Sequence, residues 1–497
     1  MAQQMSGYLR EFYQFASIVS SFCHMNLFPF ILTAIFSALP SISSAQPALF
    51  ESSYPAPGVN ISFAVRQLPD SSVYLFGYSE AGAVGGYDYR LMKLKADGKI
   101  CWTKDYGTSG LDFGIFMNRA DSFHLILIGT TQNPTPNVGD DVLMIKVDSA
   151  GNELWRKTIG GPGFESARYV EQTADGGYIF CGATPDVSTS NDAWVVKTDS
   201  LGNVQWSKQF GGPGNDVASR VVAMSDSTWV MSCDTWQGGT GTYDVQVIGL
   251  DAQGDVLFDH IHVDPLTNGC QGMMFTSAGR AVAFGETETI PLSPFNFLVH
   301  VFDDSGGPVR DFNFGGSGAE AMFDMIEIPG GDYLGTGYTN SSSASQLPIN
   351  IALMRMDTLG QLKWFKEFGG GGVDIGYLIE PSLFGTYYLT ARYMGADEDF
   401  YLLHFDANGQ TGLPGLTGPD KNEIKVYPNP ASDFISVEGN LQEISIFQAD
   451  ARLIMQRRIP PGNNSQPIDI RQLSDGFYWI TGTINGEPVT GRFVKVR

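Results

Sequence analysis

The chain has 497 residues, length for two to four domains, and carries 30 basic against 53 acidic side chains, a formal net charge of −23. That balance excludes nucleic acid and anionic lipid surfaces as partners, because both demand basic patches. At 43% apolar and 17% charged residues the chain is no disordered acidic tail, and its 59 glycines point to many short strands joined by tight turns.

The first feature in chain order is an uncharged apolar run over residues 27–39 (LFPFILTAIFSAL), followed by the small side chains Ser43-Ser44-Ala45. The run is shorter than the roughly 20 residues of a membrane-spanning helix. It reads as a secretory signal peptide occupying residues 1–45 and cleaved near Ala45; a start at Met25 gives a signal of ordinary length. No later segment stays apolar for about 18 residues, so no transmembrane segment is expected in the mature chain. Cys101, Cys181, Cys233 and Cys270 lack metal-ligand spacing and most of them read as small buried apolar residues, with a Cys233–Cys270 disulfide as the alternative.

From residue 46 to residue 410 the chain is dominated by a repeat. The glycine of a D-x-x-G turn recurs at Gly98, Gly151, Gly202, Gly254, Gly306, Gly360 and Gly409, at intervals of 49 to 54 residues. A second series, Gly77, Gly129, Gly182, Cys233, Gly285 and Gly337, keeps intervals of 51 to 53. Each copy reads as four strands, in the third copy Ala167–Gln172, Tyr178–Gly182, Asp192–Thr198 and Val204–Gln209, with Gly and Asp supplying the hairpin turns. Four antiparallel strands repeated seven times predict an all-β, seven-bladed β-propeller over residues 46–410.

Trp102, Trp155, Trp206, Phe258 and Trp364 stand four residues after the turn glycine, where a large ring wedges neighbouring blades together; Arg310 and Leu413 break the series. The seventh copy runs out after Phe405 and the turn Asp406-Ala-Asn-Gly409, so its outer strand is missing. Leu49–Asn60 aligns without gaps to Gln205–Asp216, placing Phe50 at the Trp position and Tyr54 at that of Phe210. The mature N-terminus is therefore expected to supply the outermost strand of the seventh blade, with residues 48–54 beside 399–406.

Asn60, Asp112, Glu165, Asp216, Asn268, Glu320 and Asp374 open the first strand of each copy, 51 to 54 residues apart. Seven-fold geometry would set them in a ring at a channel mouth, and the acids Asp112, Glu165, Asp216, Glu320 and Asp374 make it a candidate Ca²⁺ site. The competing reading, favoured because the G-G-x-G-x-D unit travels together, is that each carboxylate accepts N–H groups of its glycine loop. No other cofactor is expected. His260-Ile-His262 would place two imidazoles on one strand face, half of a metal site, but no third ligand is spaced to complete it and the pair reads as surface polar positions. His124, His300 and His404 lie within repeat strands and suggest no role. No nucleophile elbow, H-E-x-x-H, Walker loop or EF-hand occurs.

The pattern F-G-G-x-G-x-D-x-A, D-G-G-Y, D-x-W-V-x-K-x-D-x-x-G-x-x-x-W resembles the propeller repeats of surface and secreted proteins of the Bacteroidetes. A Gly/Pro-rich linker, residues 411–420, precedes a segment in which the charges balance, nine basic against eight acidic from Lys421 onward. There Val426-Tyr-Pro-Asn-Pro-Ala-Ser-Asp433, Ile444-Ser-Ile-Phe447, Leu473-Ser-Asp-Gly-Phe-Tyr-Trp-Ile480 and Gly491–Arg497 resemble, in order, the C-terminal type A sorting domain of the type IX secretion system. Residues 421–497 read physically as a small β-sandwich. The resemblance implies recognition by the type IX machinery and delivery, after Sec export to the periplasm, to the outer-membrane surface or the medium.

Two functional classes remain open. One is a non-catalytic binding or structural propeller whose ligand is a glycan or a protein. The other is an exported propeller enzyme, a polysaccharide lyase or glycoside hydrolase, which requires a blade that breaks the repeat with titratable groups. Blades four and five do diverge, but toward Gly and Thr (Gln237-Gly-Gly-Thr-Gly-Thr242), so no catalytic residue is expected.

Overall fold

The computed structural model describes residues 49–411, apart from 81–85, 133–138, 186–189, 213, 238–241, 264–265, 289–293, 342–347, 370–371 and 395–397; beyond them it describes 426–427, 431–437, 441–448, 453–458, 467–473, 476–484 and 487–495. The expected signal peptide, nearly all of the linker and the Gly238–Gly241 divergence lie outside the described residues. No helix among these residues is long and apolar enough to cross a membrane.

After β1 (Phe50–Tyr54) the chain forms four-stranded antiparallel meanders in strict succession. Blade 1 is β2 (Asn60–Gln67), β3 (Val73–Ser79), β4 (Asp88–Leu94) and β5 (Ile100–Tyr106); blade 2 is β6 (Asp112–Arg119), β7 (His124–Gln132), β8 (Asp140–Asp148) and β9 (Glu153–Ile159). Blade 3 is β10 (Ser166–Gln172), β11 (Tyr178–Pro185), β12 (Asn191–Thr198) and β13 (Val204–Phe210); blade 4 is β14 (Val217–Ser225), β15 (Thr228–Gln237), β16 (Thr242–Leu250) and β17 (Val256–His262). Blade 5 is β18 (Asn268–Phe275), β19 (Ala281–Glu288), β20 (Phe295–Phe302) and β21 (Pro308–Phe314); blade 6 is β22 (Glu320–Glu327), β23 (Tyr333–Thr339), β24 (Asn350–Met356) and β25 (Leu362–Phe368). Blade 7 holds β26 (Ile375–Pro381), β27 (Tyr387–Met394) and β28 (Glu398–Phe405). Successive innermost strands touch one another, and β26 touches β2, which closes the ring. The fold is a seven-bladed β-propeller.

The middle strands are buried on both faces between neighbouring blades, so they read as continuous apolar runs such as Tyr178–Ala183; the outer strands alternate, as in β13. Each innermost strand also breaks register just after the residue paired with Gly77, Gly129, Gly182, Cys233, Gly285, Gly337 or Ala391, and β14 breaks it a second time between Ala223 and Ser225. This bulge explains the second glycine series: a Cβ at Gly77 would overlap the Ile61 carbonyl oxygen, and one at Gly182 that of Ser166.

The first glycine series has a different cause. In the turn Asp199-Ser-Leu-Gly202, Asp199 Oδ1 accepts the N–H groups of Leu201 and Asn203, both at 2.9 Å, and Gly202 takes φ +77°. That glycine presents a bare backbone to the preceding blade, where the Trp155 ring would lie 2.9–3.0 Å from an added Cβ. The contact recurs at all seven joints: Phe50 on Gly98, Trp102 on Gly151, Trp155 on Gly202, Trp206 on Gly254, Phe258 on Gly306, Phe312 on Gly360 and Trp364 on Gly409. Blade 5 therefore does have its aromatic. It stands two residues after Arg310, on the same face of β21, while Arg310 itself donates to the Thr358 carbonyl at 2.9 Å.

Closure follows the expected course. β1 pairs antiparallel with β28, Phe50 opposite His404 and Tyr54 opposite Phe400, so the N-terminal strand is the outermost strand of blade 7. The Tyr54 hydroxyl donates to the Gly98 carbonyl at 2.8 Å, as Tyr106 does to Gly151 at 2.7 Å. The Cys233–Cys270 disulfide does not form: both cysteines are buried thiols in adjacent blades, as is Cys181, while Cys101 is exposed.

The C-terminal segment forms two sheets, one ordered β29 (Val426–Tyr427), β30 (Phe434–Val437), β33 (Ile468–Asp469) and the other β32 (Leu453–Arg458), β31 (Leu441–Gln448), β34 (Gly476–Ile484), β35 (Glu487–Lys495). Ile435, Val437 and Ile468 from the first share a core with Ile444, Ile446 and Ile480 from the second. Two small sheets around one apolar core are the sandwich expected there.

Removing β1 exposes the whole edge of β28 and strips the glycine contact from blade 1. Deleting residues 46–54 is expected to give aggregation in size-exclusion chromatography. Phe50→Ala, which empties a half-buried site, is expected to lower unfolding free energy by about 2–3 kcal/mol in denaturant titration.

Candidate functional site

The seven residues that open the first strands are all buried. Asp216 accepts the Gly212 N–H at 2.8 Å and the Trp236 N–H at 2.9 Å; Asp112 accepts the Thr108 N–H at 2.6 Å and Asp374 the Met394 N–H at 2.8 Å. Glu320 takes the Gly316 N–H at 3.1 Å with the Thr339 and Ser341 hydroxyls, and Glu165 takes the Thr184 hydroxyl at 3.5 Å. Asn60 donates instead, to the Ala56 and Gly58 carbonyls at 2.9 and 2.8 Å. Asn60, Asp112, Asp216 and Glu320 thus tie the loop leaving one blade to the first strand of the next, while Glu165 and Asp374 bond to the second strand of their own blade. At three joints a second acid approaches the same loop glycine: Asp88 with Asp112 at Gly107, Asp141 with Glu165 at Gly160, and Asp192 with Asp216 at Gly211.

The bulge positions differ in kind from blade to blade. They carry Phe63, Ile115, Arg168, Ser219, Gln271, Phe323 and Tyr377. On blades 2, 1, 7 and 6 the sequence of rings Tyr87, Phe113, Tyr78, Phe63, Tyr377, Phe323, Tyr338 is continuous, with centroids 4.6–6.1 Å apart, and every ring is half-buried. Blades 3 to 5 are polar at the same level. Gln271 donates to both Glu286 oxygens at 3.2 Å, Asp234 accepts the Cys270 N–H, and Arg168 is exposed. Burial pushes the Asp234 carboxyl up to about 6 and that of Glu286 up to about 7, with Asp234 adding to the latter and Arg168 opposing both.

Toward the other end of the innermost strands lies a cavity of about 460 Å³, lined by Arg66, Tyr169, Glu171, Arg220, Asp324 and Glu380 among others. Its cations are paired. Arg220 meets Asp324 at 2.7 Å, Arg66 meets Glu380 at 3.5 Å, and Arg119 also donates to Glu380. Both carboxylates are held from the backbone as well, Asp324 by the Ile379 N–H at 2.8 Å and Glu380 by the Gln67 N–H at 3.3 Å. The Arg220 guanidinium lies 5.0 Å from the Tyr169 ring and 5.5 Å from that of Phe284. Glu171 has no ion-pair partner among the described residues; burial pushes its carboxyl up to about 7, opposed by the Tyr169 hydroxyl and the more distant Arg220 and Arg66.

His260 and His262 do share a face of β17, but they are half-buried against blade 5 rather than surface positions. His262 meets His300, to which the sequence assigned no role, across the blade joint. His124 pairs with Asp121 at 2.7 Å, and His404 stacks on Tyr388.

The channel residues escaped the sequence reading because the bulge shifts the strand's phase by one residue. Their signal is a negative one: at four and six places after the first-strand anchor the copies carry Ala, Phe, Tyr, Arg, Gly, Asp, Leu and Arg, Asn, Glu, Val, Met, Ile, Glu, the variability of positions that the repeat does not fix.

Residues 425–496 match the family described as the secretion system C-terminal sorting domain. No curated protein matches the chain. Among solved structures, similarity extends to PorZ, described as an essential bacterial surface component of the type-IX secretion system of Porphyromonas gingivalis, at 11% identity and TM-score 0.43 over 89% of this chain; the chain spans 60% of PorZ. It extends also to the β-propeller domain of the Trilobed protease from Pyrococcus furiosus, at 10% identity and TM-score 0.43 over 74% of this chain and 98% of that one. Sqt1 from Chaetomium thermophilum matches at 12% identity and TM-score 0.40, over 73% and 99% of the respective chains. The chain is thus a β-propeller bearing a type IX sorting tail, an address for the cell surface or the medium.

Glu171, Asp234 and Glu286 have folded pKa values above their unfolded ones, so the stability they favour is complete below about pH 4 and is lost as pH rises through 6 to 7. Glu171→Gln is expected to remove part of that loss: relative to wild type it gains roughly 1–3 kcal/mol between pH 5 and pH 8 in denaturant unfolding.

Proposed function

We propose that the protein is an exported, non-catalytic binding propeller that holds a glycan at the mouth flanked by the bulge residues. One observation carries this reading: the half-buried run of aromatic rings from Tyr87 to Tyr338 faces Arg168, Gln271, Asp234 and Glu286 across the innermost strands. Sugar rings offer apolar faces to stack on aromatics and hydroxyl edges to meet amides and carboxylates. A glycan array probed with the exported protein is expected to give binding that Tyr377→Ala together with Phe63→Ala weakens at least about tenfold, the loss expected of stacking anchors. An array without signal, with retention of a protein partner instead, replaces the glycan by a protein ligand.

The enzyme reading has an observation of its own. Glu171, Asp234 and Glu286 are carboxyls poised near neutrality, the range suited to general acid–base work. Cleavage of any polysaccharide in a lyase and hydrolase panel, abolished by Asp234→Asn or Glu286→Gln with binding retained, would establish it.

Delivery is assigned to Sec export followed by the type IX machinery acting on residues 421–497. Deleting Lys421–Arg497 is expected to leave the propeller in the periplasm; wild-type levels outside the cell would remove the assignment. Calcium is the cation that the joint acids Asp112, Glu165, Asp216, Glu320 and Asp374 suit, above all where a second acid joins them. A thermal melt in millimolar calcium against chelator reads this directly: a rise assigns the ion by linkage, and an unchanged Tm leaves those oxygens to their N–H groups.

A further inference from the structure

Across the joint between blades 4 and 5 three side chains of metal-ligand type converge from three strands. We infer that His262, His300 and Asp311 form a site for a divalent transition-metal cation of the zinc class, bridging the two blades. His262 ends the outer strand β17. His300 lies on β20, and Asp311 is its cross-strand partner on β21. One potential ligand atom from each residue lies within 4.8 Å of the other two. His300 Nδ1 is 2.7 Å from one oxygen of Asp311 and His262 Nε2 is 3.6 Å from the other. The two imidazoles lie 4.2 Å apart between ring centroids, inclined at 44°. A tetrahedral ion with bonds of about 2.0–2.1 Å holds its ligand atoms roughly 3.3 Å from one another, and these separations bracket that value.

Burial and donor chemistry agree with the geometry. His300 is 2% exposed, so the packed joint fixes its ring, with Nδ1 turned toward Asp311. Two imidazole nitrogens and one carboxylate oxygen select zinc, cobalt or nickel over calcium and magnesium, whose sites are built from oxygen. The side chains of Asp311 and His262 are 44% and 20% exposed, which gives a route in and room for water as the fourth ligand. His260, two residues earlier on the same strand face, lies against the Phe302 ring at 6.0 Å and is no part of the set.

The sequence spaces these ligands too far apart to be read as a motif, since 38 residues separate His262 from His300. The propeller brings them together because successive blades present equivalent strands to one another, and such an ion would cross-link two blades that the repeat otherwise joins through Phe258 and Gly306.

The test uses the full exported chain, stripped with chelator and titrated with Co²⁺ and then Zn²⁺. The expected result is one Co²⁺ per chain with the visible absorption band of a four-coordinate ion, displacement by Zn²⁺, and a rise in Tm with Zn²⁺. His262→Asn and Asp311→Asn sit at partly exposed positions that the fold tolerates, and each is expected to weaken binding at least about tenfold. His124→Asn, in the exposed pair with Asp121, is expected to change nothing. Absence of both the band and the Tm shift at millimolar Zn²⁺, or equal affinity in wild type and the two ligand variants, overturns the site and leaves a hydrogen-bonded histidine–aspartate cluster.

Discussion

The rest of the structure depends on one contact, an aromatic ring packed against the turn glycine of the next blade. Its two halves need different things. The turn needs positive φ and an aspartate that gathers two N–H groups, and the ring needs a surface with no Cβ in its way; glycine alone meets both demands. Because the contact always links one blade to its successor, six of the seven joints are local in sequence. At the seventh the ring contact, Phe50 on Gly98, is just as local, and the non-local link is the pairing of β1 with β28 that seats Phe50 in blade 7. A ring closed in this way loses its weakest joint and its open sheet edge in the same step, which makes the terminal strand structural rather than ornamental.

That economy explains why so much of the fold is legible in the sequence. Gly202, Trp155 and Asp199 report the turn and the wedge because their places keep glycine, a large ring and, beyond the first copy, aspartate, and repetition turns a weak local signal into an architecture. Closure is legible for the same reason, as Tyr54 and Phe50 keep the spacing of Phe210 and Trp206. Where a place accepts a substitute, the pattern misleads. Blade 5 moves its ring from the position of Arg310 to Phe312, one strand period along, so the face is preserved while the spacing is not.

The channel is illegible on stronger grounds. A bulge at every innermost strand adds a residue that no alternating pattern anticipates, and the residue it frees answers to the channel rather than to a neighbouring blade. Phe63 and Tyr377 on one side and Arg168 and Gln271 on the other are therefore unconstrained by the repeat. A seven-fold fold carries specificity only where its symmetry is broken, and the bulge is the place where breaking it leaves the blade joints intact. His300 escapes notice for a related reason: within its own blade it is one more buried strand residue, and its meaning comes from His262 in the blade before.

The two ends of the innermost strands divide the electrostatic work. At the cavity, Arg66 and Arg220 are neutralised by Glu380 and Asp324, whose carboxylates also accept backbone N–H groups, an arrangement that costs stability to desolvate and is tolerated when every charge is satisfied. Such a network rigidifies, since Arg66 and Arg220 are each already committed to a carboxylate. At the bulges the balance is reversed: burial raises the carboxyls of Asp234 and Glu286, Asp234 raises Glu286 further, and the Cys270 N–H, the Gln271 amide and the exposed Arg168 oppose them only in part. A polar ligand arriving there meets acids that can change charge near neutral pH and rings already half out of water, whereas at the cavity it would have to break an ion pair first. The chemistry available for recognition is thus concentrated at the mouth that the bulges line.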